Sequence, residues 1–218
     1  MLITTRDAGI VHTLHGERLP VSLFTEREAL ELLAESVDML PAALPPEAHE
    51  VVDECGLLPL ALALSGGMAK KRGGDFRSVL ERLRRADLDK IADRESFNPQ
   101  HKTLWRAMQA SVEMLSIDDQ RRFAELAVFS EEETVPESTV ATLWEHTGRL
   151  DNLDTEDLLI DLAGRSLIQV DTRPDTDGTT TRRISLHDLL HDYAVRIAGD
   201  PRELNQILVS AYQEKCPD

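Results

Sequence analysis

In the stretch SLHDLLHDYA, residues 185–194, His187 and His191 stand four apart and an aspartate follows each. On a helix that spacing predicts two imidazoles on one face. The chemistry nearest to it is the zinc-protease pattern H-E-x-x-H, in which two histidines bind the metal and a glutamate acts as base. Here the acid is aspartate, one methylene shorter, and a third ligand does not stand out. The remaining histidines, at positions 12, 15, 49, 101 and 146, are scattered. The pattern therefore gives no metal site and leaves two readings for His187: a plain helix-start residue, or a sensor of something bound elsewhere.

Two other stretches could bind phosphate or DNA, and neither fits. Ser65-Gly66-Gly67-Met68-Ala69-Lys70-Lys71 is glycine-containing and basic, but no Gly-Lys-Ser/Thr occurs and the phosphate-loop pattern fails. It falls inside or at the end of a helix, where the glycines read as close packing. The segment Asp154–Asp161 holds the place of a recognition helix before a hairpin. Its acidic residues would face DNA phosphates with the wrong charge, and Arg165, Arg173, Arg182 and Arg183 are too few to reverse that.

The elements that must position these residues are mostly helices. Leu2-Ile3-Thr4-Thr5 reads as a lone strand and Arg6-Asp7-Ala8-Gly9 as the turn leaving it. Thr25-Glu26-Arg27-Glu28 is a capping box that opens the first helix. Pro45-Pro46 opens a second helix that stops near Gly56. Pro59 opens a third, Leu60 to about Lys71, ended by Gly73-Gly74, and Asp75 caps a fourth. Residues 93–102 are polar and contain a proline, so a boundary is expected there. Beyond it, helices are predicted near 103–115, 117–128, 137–147 and 155–165. A hairpin follows, with strands at 167–170 and 182–186 around the turn-rich Asp171–Gly178. The last helices span Asp188 to about Ala198 and about 201–213. Helices followed by a β-hairpin predict a winged-helix domain, with residues 171–178 as its wing.

Composition is consistent with this plan. The 218 residues are 41% apolar and 4% aromatic, so the cores must be built from Leu, Val, Ile and Ala. No window approaches the roughly 18 uninterrupted apolar residues of a membrane helix. The net charge of −16 disfavours general nucleic-acid binding. Two cysteines, Cys55 and Cys216, lack metal-type or redox-type spacing, and a reducing, cytoplasmic setting is expected.

In order along the chain, Leu2-Ile3-Thr4-Thr5-Arg6-Asp7, Cys55-Gly56-Leu57-Leu58-Pro59-Leu60-Ala61-Leu62 and Leu186-His187-Asp188 resemble the nucleotide-binding adaptor (NB-ARC) region of signal-transducing NTPases with numerous domains. Apoptotic protease-activating factors and plant disease-resistance proteins share this region. The resemblance covers most of residues 1–198. It implies a mainly α fold: residues 1–19 as the last strand and turn of a P-loop domain, 20–95 as a small helical domain, 96–199 as a winged helix, and 200–218 as the start of a further helical region.

The resemblance also implies roles. Arg6 is similar to the sensor arginine that meets the γ-phosphate, Pro59 to the proline near the adenine or ribose, and His187 to the histidine that meets the β-phosphate of ADP. The implied cofactors are ADP and ATP, with Mg²⁺ in the intact protein. The implied partners are a P-loop domain of the same protein, further copies on activation, and effector or sensor domains, with no nucleic acid and no membrane. Two positions depart from the pattern: Leu57 replaces the glycine of Gly-Leu-Pro-Leu, and Leu186 the methionine of Met-His-Asp. With no P-loop motif, the chain reads as a fragment of a larger switch protein, not itself an enzyme. A winged-helix transcription regulator and a nucleotide-independent interaction module are the alternatives.

Overall fold

The computed structural model describes residue 19 and residues 21–86, 99–131, 133–174, 180–199 and 201–215. Among these the chain forms ten α-helices and a small antiparallel sheet, so the fold is mainly α with a β-hairpin. The strand expected at residues 2–5, most of the polar boundary and the tip of the expected wing lie outside the described residues, as does Cys216.

The first four helices start where local chemistry predicts. Helix α1 (Glu26–Ser36) begins with the full capping box: Thr25 Oγ1 accepts from Glu28 N at 3.3 Å, and Thr25 N donates to Glu28 Oε2 at 2.7 Å. Helix α2 (Pro46–Glu54) and helix α3 (Pro59–Lys70) each start on a proline, which has no N–H to lose there. In helix α4 (Phe76–Arg85), Asp75 accepts from Ser78 N at 3.0 Å. Helix α3 is apolar on nearly every side and packs against α1 and α4.

Helix α5 (Pro99–Val112) packs on α3 and α4 and also touches helix α9 (Asp188–Ala198), so it joins the two halves of the core. Helix α6 (Ile117–Glu125) runs into a 3-10 turn, Leu126–Val128. Strand β1 (Val135–Pro136), helix α7 (Glu137–Gly148) and helix α8 (Asn152–Gly164) follow. Strands β2 (Gln169–Pro174) and β3 (Thr180–Ser185) form the hairpin, and helix α10 (Pro201–Lys215) packs back on α7. Trp144 and Phe123 are fully enclosed, and the Trp144 indole N–H donates to the Arg122 carbonyl at 3.2 Å.

The structure differs from the sequence expectation in several details. Helix α5 starts at Pro99, four residues before the expected 103, so the end of the expected boundary is helical. Asp171–Pro174 continue strand β2, paired with Arg183 through Thr180, so the turn starts later than residue 171. Helix α8 starts three residues before the expected 155, because Asp151 and Asp154 form a second capping box. The two-residue strand β1 was not expected; it pairs Val135 with Ile184 and makes β3 the central strand.

Candidate functional site

His187 is the N-cap of α9, with φ −64° and ψ 141°, and it is exposed. Two acceptors converge on the Leu189 N–H: Asp188 Oδ1 at 2.8 Å and His187 Nδ1 at 3.3 Å. The His187 Nδ1 and Asp188 Oδ1 atoms are themselves in contact. Nδ1 is thus engaged at the helix start by both Leu189 and Asp188. The nitrogen left to meet a ligand is then Nε2. Asp188 already places a negative charge at the positive end of the helix. An anion arriving there would be held by the imidazole rather than by the helix start alone.

His191 does not share that site. Its Nε2 lies 2.8 Å from the Phe129 carbonyl and its side chain is only 12% exposed. The expectation of two imidazoles on one face fails for a definite reason. The four-residue rule holds when both residues have helical backbone, and an N-cap residue is extended. His187 therefore turns outward while His191 turns in under the loop after the 3-10 turn.

Pro59 occupies the first position of α3 and is exposed. Arg6 lies outside the described residues. Pro59 lies at the start of α3 and His187 at the start of α9, and both helices pack on α5. A groove of about 350 Å³ near α9 is lined by Gln109, Glu113, Arg121 and Tyr193, and includes neither.

A contact that the sequence reading did not single out joins the two halves near the end of α3. A Cβ on Gly67 would come within 2.7 Å of the Arg165 Cα and 2.8 Å of its carbonyl carbon. Beside it, Lys71 Nζ lies 2.5 Å from Asp161 Oδ1, and Arg165 Nε donates to Asp161 Oδ2 at 2.6 Å. The two glycines in SGGMAKK do serve close packing, Gly66 against Ser36 and Gly67 against Arg165. Burial opposes ionisation of Asp161, but the hydrogen bonds and charges of Arg165 and Lys71 outweigh it and hold the carboxyl below its ordinary 3.8. Its stabilising contribution is present above that value and is lost only as pH falls through the lower, folded-state value. At neutral pH the Asp161 carboxyl is ionised. Asp161→Asn should therefore destabilise the chain by about 1.5–3 kcal/mol, the range for charge-assisted hydrogen bonds. Urea unfolding at neutral pH checks this, and the difference should shrink in acid.

No protein-family model matches the chain. Individual proteins do. Human apoptotic protease-activating factor 1 is 27% identical over 217 residues, 98% of this chain and 16% of that protein. The Danio rerio protein of the same name is 29% identical over 219 residues, again 98% and 16%. The Arabidopsis thaliana disease resistance-like protein DSC1 is 26% identical over 203 residues, 91% of this chain and 14% of that protein. The chain is homologous to apoptotic protease-activating factor 1 and to plant disease resistance proteins over most of its length. It spans about a sixth of the length of these relatives or less.

In this homologue of apoptotic protease-activating factor 1, the departure at Leu57 has a backbone consequence. Leu57 has φ +59° and follows Gly56 at φ +57°. The left-handed region costs a residue with a Cβ about 1–2 kcal/mol, and glycine nothing comparable. The position where the NB-ARC motif carries glycine is thus one where glycine is favoured. Here a leucine fills it and partly offsets the cost by packing its side chain against the core.

Proposed function

We propose that this chain is the regulatory helical and winged-helix part of a signal-transducing ATP/ADP switch, an NB-ARC protein of the type that closes over ADP and opens on exchange to self-assemble. The observation that carries this reading is homology across nearly the whole chain, with an exposed histidine at the start of α9. The reading keeps residues 20–95 as the helical domain and 96–199 as the winged helix. It takes 1–19 as the end of a P-loop domain and 200–218 as the start of a further helical region. His187 would meet the β-phosphate through Nε2, Pro59 the adenine or ribose, and Arg6 the γ-phosphate. These residues suit sensing rather than cradling, because no phosphate-loop motif is present to hold the phosphates or Mg²⁺. The partners would be the P-loop domain, further copies of the protein, and effector or sensor domains. The setting would be cytoplasmic; no helix among the described residues is long and apolar enough to cross a membrane.

The regulator reading loses support at the hairpin. Arg182, one of the few cations near α8, is paired with Glu156 at 2.7 Å and Glu137 at 3.3 Å. Arg165 is paired with Asp161. Neither charge is available to a phosphate backbone without breaking an ion pair.

Two measurements test the proposal. Incubated with Mg-ATP, the 218-residue chain should release no phosphate above blank, and turnover that co-purifies with it and falls in Arg6→Ala would overturn this. In a protein carrying the P-loop domain, the ADP dissociation rate of His187→Ala against wild type tests the sensor role.

A further inference from the structure

We propose that His191, Glu131 and Asp192 form a binding site for one divalent transition-metal ion, Zn²⁺ or one of similar chemistry. This site is independent of the nucleotide reading and does not include His187. One ligand atom from each of the three residues lies within 4.8 Å of the other two. Two come from the first half of α9, and Glu131 comes from the turn that follows Phe129.

The imidazole is set up as a ligand. Its Nε2–H is committed to the Phe129 carbonyl at 2.8 Å, which fixes the ring and puts the lone pair on Nδ1. Metal-bound histidines are oriented by this kind of second bond. The Nδ1 atom has no hydrogen-bond partner and is shut off from water. It faces Glu131 Oε1 at 3.6 Å. A bare lone pair opposite a carboxylate is unfavourable unless a positive charge lies between them.

That charge could be a proton or a metal ion, and the 3.6 Å spacing suits the metal ion better. A proton on Nδ1 would draw the carboxylate to about 2.7–2.9 Å, the length of a charge-assisted bond. Two ligands of one tetrahedral zinc, each about 2.0–2.2 Å from the metal, stand roughly 3.3–3.5 Å apart. The observed 3.6 Å falls beside the second figure. Asp192 supplies a third donor, and a water would complete four. One imidazole with two carboxylates suits Zn²⁺ and its neighbours in the first row better than Mg²⁺ or Ca²⁺, which prefer all-oxygen shells. The H-D-L-L-H spacing does not lead to this site, because His187 is no part of it and Glu131, 60 residues before His191, is brought in by the fold.

The test uses the full chain, free of any histidine tag and stripped of metal, at neutral pH. Adding Zn²⁺ should saturate at one equivalent. At about a hundredfold excess over Kd it should raise the Tm by about 5–10 °C. Co²⁺ should give visible absorption bands of a four-coordinate site. Glu131 and Asp192 are both exposed. The double variant Glu131→Gln, Asp192→Asn should therefore keep the metal-free Tm and the His191 bond to Phe129, yet lose both metal effects. No Zn²⁺ shift in the wild-type chain overturns the proposal. So does an equal shift in the double variant, because the ion would then be bound elsewhere. Should the double variant melt early without metal, the Co²⁺ bands of Glu131→Gln alone decide: bands unchanged from wild type overturn the site.

Discussion

Gly67→Val should lower the stability of the chain by about 3 kcal/mol, the upper part of the range for overpacking a close contact. For a chain of this size that corresponds to a fall in Tm of about 6–12 °C. The reason is that the obstacle is backbone. The first atom of any side chain at this position would lie 2.7–3.0 Å from three main-chain atoms of Arg165. No rotamer change relieves that, so α3 and the end of α8 must part. Parting also stretches the 2.5 Å contact between Lys71 and Asp161. Helix propensity acts in the opposite sense, since glycine inside a helix is worse than alanine by about 1 kcal/mol. Gly164→Ala is the matched control. It lies on the other side of the same contact, and its added Cβ would meet only the end of the Lys71 side chain, at 3.5 Å. It should leave Tm unchanged or raise it slightly. Thermal unfolding of the three proteins checks this. If Gly67→Val melts with the wild type, α3 does not depend on that approach, and the two halves are not locked there.

How far this contact could be foreseen shows where sequence reading stops. The helix starts were legible because each rests on residues within four positions: Thr25 with Glu28, Asp75 with Ser78, and the prolines at 46 and 59. The hairpin was legible from the turn residues between its two short strands, and His187 as the residue that starts a helix. Gly66-Gly67 was legible as close packing, but its partner was not, because Arg165 lies 98 positions away and nothing local selects it. The same holds for Asp161, which reads as one more acidic residue on a helix and is the anchor between Lys71 and Arg165. Strand β1 was missed because two residues carry no period. The pair His187 and His191 misled in another way: the spacing rule was applied across a helix boundary, where it does not hold.

That boundary governs what substitution of each histidine should do in a protein that carries the P-loop domain. His187→Ala should speed ADP release about ten- to a hundredfold and raise basal self-assembly. A hydrogen bond to a charged partner contributes roughly 1.5–3 kcal/mol, and 1.4 kcal/mol is tenfold in an equilibrium. If that bond exists only in the closed state, its loss moves the closed–open balance by the same factor. The fold itself should be little affected. His187 is exposed, and Asp188 Oδ1 holds the Leu189 N–H at 2.8 Å without it. His191→Ala should show the reverse pattern. It removes the 2.8 Å bond to Phe129 and leaves that carbonyl without its partner, at a cost of about 1–3 kcal/mol in folding stability. ADP release should stay near the wild-type rate. Off-rates from a fluorescent ADP analogue and melting curves, taken on both variants, separate the two roles. If His187→Ala keeps the wild-type off-rate and only lowers Tm, the residue is a helix cap and the sensor assignment fails. If both variants release ADP faster by the same factor, the effect travels through the packing of α9 and not through a contact of His187 with phosphate.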